Sequence, residues 1–101
     1  MGGYQRRQLP DSEADYMANI VFQQWVLMEP QLGCNTEGAV LTVLDACTQV
    51  VAGTNWYLLL TSSCPCGNEA QPEEVLLEGL TFQPLPYTNQ LPQVLDVKQV
   101  G

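Results

Sequence analysis

Only one stretch of this chain reads as a long helix, and a proline stands at each end of it. Between Pro10 and Pro30, Ala14, Met17, Ala18, Val21, Trp25 and Met28 recur at helical spacing, while Asp15, Asn19 and Gln23 fall on the other side. Ser12 reads as the N-cap, with Asp15 three residues on as the capping-box acid; Asp11 and Glu13 add negative charge where the helix dipole favours it. Pro30 ends the helix, because the residue before a proline is driven out of the α region. A helix of about 16 residues is expected.

Everything after the turn-rich Gly33, Asn35 and Gly38 is extended in character. Ala39 to Gln49, Asn55 to Thr61, Glu74 to Phe82 and roughly Leu91 to Val100 read as strands, and Ser62 to Pro72 as a loop. Strands in succession on short links pair antiparallel, and the apolar helix must cover one face of the sheet they form. The expected class is α+β: one α-helix packed across a four- to five-stranded antiparallel sheet. The 101 residues suit a single domain over 1–101, with an extended N-terminal arm over 1–10.

Charge removes several functions. Three Lys+Arg against eleven Asp+Glu give −8, with no basic stripe for nucleic acid or an anionic membrane. No apolar run approaches the roughly 20 residues of a membrane span. Met1-Gly2-Gly3-Tyr4-Gln5-Arg6-Arg7 carries no apolar core of a secretory signal, so a cytoplasmic location is expected, with secretion after trimming left open. The chain has no histidine, hence neither the usual base for a nucleophile nor imidazole for zinc, and no phosphate-binding glycine loop. Neither enzyme, cofactor nor metal site is expected. Cys34, Cys47, Cys64 and Cys66 allow three disulfide pairings, and free thiols fit a cytosolic chain. Trp25 falls on the apolar helix face and reads as core; Trp56 reads as packing.

Two segments carry the function. Gln49-Val50-Val51-Ala52-Gly53-Thr54-Asn55 joins two apolar strands through a bend where glycine can take a positive φ, yet Val50 and Val51 stand where a turn ordinarily has polar residues. Apolar residues exposed at a rigid tip mark a contact surface. The segment resembles the first binding hairpin, Q-x-V-x-G, of the cystatin superfamily, in the form found in stefins (type 1 cystatins). Phe82-Gln83-Pro84-Leu85-Pro86-Tyr87-Thr88-Asn89 is similar to the second stefin hairpin, F-x-S-L-P-x-x-N, and Gly2 and Gly3 stand where a stefin trunk has its glycine.

The resemblance implies an inhibitor of papain-like cysteine proteases of the cathepsin type. Two hairpins and the N-terminal arm would form a wedge along one edge of a five-stranded sheet. Gln49, Val50, Val51, Ala52 and Gly53 would lie over the catalytic cysteine, and Leu85, Pro86 and Tyr87 against the primed side. Gly2 or Gly3 would bend the arm into the unprimed subsites. Only Met1 precedes the glycines, so the hairpins are expected to carry most of the binding. Gly53→Trp is expected to spoil the first hairpin's fit and leave the fold largely intact.

Tyr87 departs from the His or Gly common in stefins, the Ser62 to Pro72 loop is longer than theirs, and the tail after the last strand is shorter. The disulfide pattern and second-hairpin Trp of type 2 cystatins are missing. A monomer is expected, with a domain-swapped dimer left open. The alternatives are an interaction module on this fold without inhibition, an engineered binder on a stefin scaffold, or a redox protein using Cys64-Pro65-Cys66.

Overall fold

A computed structural model describes residues 3–28, 39–64 and 73–100. They form β1 (Gln5–Arg6), α1 (Ser12–Met28), β2 (Val40–Val51), β3 (Gly53–Cys64), β4 (Glu73–Gln83) and β5 (Gln93–Gln99). The strands lie in one sheet in the order β1-β2-β3-β4-β5, and every neighbouring pair is antiparallel. The sheet expected as four- to five-stranded thus has five, the arm supplying the fifth. Ser62 and Ser63, expected in a loop, belong to β3 and pair with Val75 and Glu74. The expected turn at Gly33 to Gly38, the helix stop at Pro30, Gly2, and Cys34 and Cys66 lie outside the described residues.

Helix α1 spans 17 residues and buries Ala14, Met17, Ala18, Val21, Phe22 and Trp25. Met28, expected on that face, is 54% exposed, and Phe22 occupies the core instead, its ring 6.2 Å from that of Trp25. The cap also differs from the expected Ser12 and Asp15 pair. Asp11 Oδ1 accepts the backbone N–H groups of Glu13 (2.9 Å) and Ala14 (3.2 Å), so Asp11 is the N-cap and Ser12 the first helical residue. The carboxylate is held there from behind by Arg7, whose Nε donates to Asp11 Oδ2 at 2.8 Å. That hydrogen bond, more than any other influence, lowers the Asp11 pKa below its ordinary value.

Trp56, Leu58, Leu60, Leu77 and Val97 meet the helix from the sheet, with Ala46 on β2. A bulge between Val43 and Asp45 lets Leu41 and Val43, and then Ala46, face the helix on one strand. Trp25 and Trp56 are both core, 3% and 1% exposed. At Gly79 the helix lies hard against the sheet: a Cβ there would stand 2.7 Å from both methyls of Val21. Val21 is fully buried and stiff at χ1 in a helix, so a side chain at 79 must push helix from sheet. Gly79→Ala is expected to lower stability by about 1–3 kcal/mol, read from denaturant unfolding. A variant as stable as the parent would mean that α1 can ride outward at no cost.

The opposite face of the sheet carries a polar ladder. Tyr57 donates to Glu78 Oε2 at 2.8 Å, and Lys98 Nζ lies 3.2 Å from Glu78 Oε1. The Glu78 carboxylate is the main reason the Tyr57 phenol is pushed up to about 12.

Candidate wedge of two hairpins and an arm

The strand register decides where the sequence-selected residues meet. Strands β2 and β3 pair from Val40↔Ser63 down to Val51↔Gly53, leaving Ala52 alone at the apex. Val50 and Val51, read from sequence as a turn tip, are therefore the last rungs of a strand, and Gly53 is the first rung of the next. On the other side of β3, Thr54 pairs with Gln83, the last residue of β4. The chain leaves β4 beside the first hairpin and returns at Phe82↔Gln93. β1 pairs Gln5 with Thr48, so the arm approaches from the outer edge; Gly3, Gln5, Thr48 and Val50 line a notch of about 170 Å³. The β2–β3 apex, the β4–β5 connection and the arm thus share one end of the sheet.

Exposure there is uneven. Val50 is 81% and Val51 47% exposed, and Ala52 is exposed. Gln49 is half-buried and its Oε1 accepts from Asn55 Nδ2 at 3.2 Å across the hairpin. Gly53 is buried, with φ +127°, a conformation that side-chain-bearing residues rarely adopt. A Cβ on it would lie 2.6 Å from Phe82 Cζ and 2.7 Å from the Gln83 carbonyl oxygen. Gly53 is therefore the point where the two hairpins touch, not part of the exposed tip.

The second connection is braced from within. Leu85 is extended (φ −60°, ψ 142°), as the residue before a proline should be, and Pro86 starts a 3-10 turn over Pro86–Thr88. Asn89 closes that turn in the left-handed region at φ 56°, where asparagine is tolerated better than most residues. Thr88 Oγ1 donates to the Leu85 carbonyl at 2.7 Å, and the Thr88 and Asn89 amides donate back to Leu85 and Pro86 carbonyls. Leu85 is half-buried, Pro86 exposed and Tyr87 79% exposed.

Arm and hairpins are tied together behind the tips. The Arg7 amide donates to the Ala46 carbonyl at 2.7 Å, and its guanidinium carbon lies 5.1 Å above the Trp56 ring. Trp56 Nε1 in turn donates to Gln83 Oε1 at 3.2 Å, at the root of the second connection.

Two exposed apolar residues of this end are not among those the sequence singles out. Leu91, expected at the start of the last strand, precedes it and is 79% exposed; Tyr4 is 46% exposed. Two signals point to Leu91. Pro92 follows it, and proline cannot donate to a ladder, so the strand starts later. Residues 79–95 also contain no charged side chain, nor do 46–68 or 1–5, in a chain of net charge −8.

No protein-family model matches the sequence, and no curated protein matches it significantly. Among solved structures, the chain is similar to a secreted type 1 cystatin from Fasciola hepatica, with a TM-score of 0.63 and 22% identity. The likeness covers 100% of this chain and 98% of the other. The fold is cystatin-like, one helix on a five-stranded antiparallel sheet, as the sequence motifs implied.

Proposed function

We propose that this chain is a tight-binding, reversible inhibitor of papain-like cysteine proteases that fills the active-site cleft with the β2–β3 apex, the β4–β5 connection and the arm. One observation carries the reading: the β2–β3 apex, the β4–β5 connection and residues 3–5 of the arm, none with a charged side chain, stand together at one end of a cystatin-like sheet with Val50, Val51, Tyr87 and Leu91 exposed. A groove built for an extended peptide has a complementary shape, and an uncharged wedge enters it without stripping water from a charge. The contact would be of ordinary size, roughly 800 Å² per partner.

In this reading Gln49, Val50, Val51 and Ala52 lie over the catalytic cysteine, with buried Gly53 seating that apex against the second connection, while Leu85, Pro86 and Tyr87 pack beside it. Gly3, exposed with nothing within 4 Å of where its Cβ would stand, lets the arm follow the cleft on the other side, with Gly2 before it. The first apex is a strand end held in register, and the second connection is fixed by its own hydrogen bonds. Little conformational freedom is lost on binding, which favours affinity. No bond of the inhibitor has to be cut, so the chain needs no catalytic group and acts one to one. The thiol of Cys47 is free, which fits the cytoplasm, whereas the similar Fasciola hepatica protein is a secreted one; fractionating the source cells decides between the compartments.

Titrating the protein into papain with a fluorogenic peptide substrate tests the proposal. Activity should fall linearly and vanish near one equivalent. Full activity at large excess, repeated with cathepsin-type enzymes, would leave an interaction module on the same fold as the better description.

A further inference from the structure

The β4–β5 connection holds two Leu-Pro pairs, Leu85-Pro86 where it leaves β4 and Leu91-Pro92 where it enters β5. The resemblance drew attention to the first pair. The structure separates them: Leu85 is half-buried, whereas Leu91 is 79% exposed, as exposed as Tyr87 four residues earlier. Between them the chain reverses at Asn89, in the left-handed conformation, so Tyr87 and Leu91 stand on the two arms of one braced turn.

We infer that Leu91 is a specificity-determining contact of the wedge, gripping an apolar, uncharged wall of the protease cleft together with Tyr87. The inference rests on the proposed inhibitory function and adds a residue to that site. Three observations support it. Leu91 gains little from its own fold, since folding leaves most of it in water. Its backbone is nonetheless held, because Gln90 and Asn89 on its N-terminal side are bonded into the turn (Gln90 N to Thr88 Oγ1, 3.4 Å) and Pro92 follows. It also lies inside the uncharged run 79–95, the second connection's whole length, in a strongly acidic chain. A rigid apolar prong in a neutral surround suits a partner wall that is itself apolar, and a few such well-placed side chains supply most of an interface's energy.

The test compares Leu91→Ala and Leu91→Asp with the parent and with Val40→Asp, measuring inhibition constants and dissociation rates on papain. Val40 is 64% exposed but lies at the other end of β2, about 30 Å from Val50 at roughly 3.3 Å per residue. Leu91→Ala should weaken inhibition by about tenfold and Leu91→Asp by about a hundredfold, mostly through faster dissociation. Thermal midpoints should not move, and Val40→Asp should inhibit like the parent. If both Leu91 variants inhibit as tightly as the parent while Tyr87→Ala weakens binding, Leu91 is no contact and the wedge stands without it. A parent that fails to inhibit overturns the wedge and this inference together. Should Leu91→Asp fail to fold, Leu91→Ser takes its place with the same two outcomes.

Discussion

Gly53→Ala is expected to weaken protease inhibition by about a hundredfold and to lower stability by about 1–3 kcal/mol, although it adds one methyl group. The two effects share one cause. At φ +127° an L side chain is strained wherever it points, and here it points at 2.7 Å from the Gln83 carbonyl oxygen. Phe82, also within 2.7 Å, could turn its ring aside, but a backbone carbonyl at the end of a paired strand cannot. The β2–β3 apex must move away from the root of the second connection, and a cleft that receives both at once then receives neither well. The sequence-based expectation for Gly53→Trp, a damaged hairpin on an intact fold, is revised on the same ground: a buried rung of β3 cannot take an indole without separating β3 from β4. Measuring the papain inhibition constant beside denaturant unfolding checks the pairing of effects. Loss of inhibition at full stability would place Gly53 in direct contact with the protease instead of between the hairpins.

What could be read from the sequence divides along the range of the interactions. The helix was legible because its signals are local: a proline at each end and apolar residues three and four apart. Its details were not. Phe22 is buried in the core while Met28 is left 54% exposed beside β5, and Asp11 replaces Ser12 as the cap because Arg7 holds its carboxylate in place. That arginine contacts the helix start, the Ala46 carbonyl and the Trp56 ring, and nothing near it in sequence announces partners so far along the chain. The hairpin motifs gave the tip residues, yet assigned Gly53 to the tip and passed over Leu91. A motif marks which residues belong to a bend; only the register between β3 and β4 shows that one of them is wedged against the neighbouring hairpin.

Val50→Asp should separate binding from folding where Gly53→Ala cannot. Val50 is 81% exposed in the folded protein, so its replacement costs the fold little, within about 0.5 kcal/mol, and the unfolding midpoint should hold. In a protease complex of the proposed kind the same position is covered and dry. A carboxylate carried into it without a partner costs about 3–5 kcal/mol, which is a loss of affinity of roughly a hundred- to several-thousandfold. The neighbouring arm offers no rescue: residues 3–5 carry no cationic side chain, and Arg6 is engaged with Asp45 at 3.2 Å on β2. The penalty should also fall steeply when the assay pH is brought down toward the ordinary pKa of an aspartate, about 4, because a neutral carboxylic acid is far cheaper to bury. If the Val50→Asp variant binds papain as tightly as the parent at every pH, the apex of the first hairpin stays in water, and the sheet end needs a different partner.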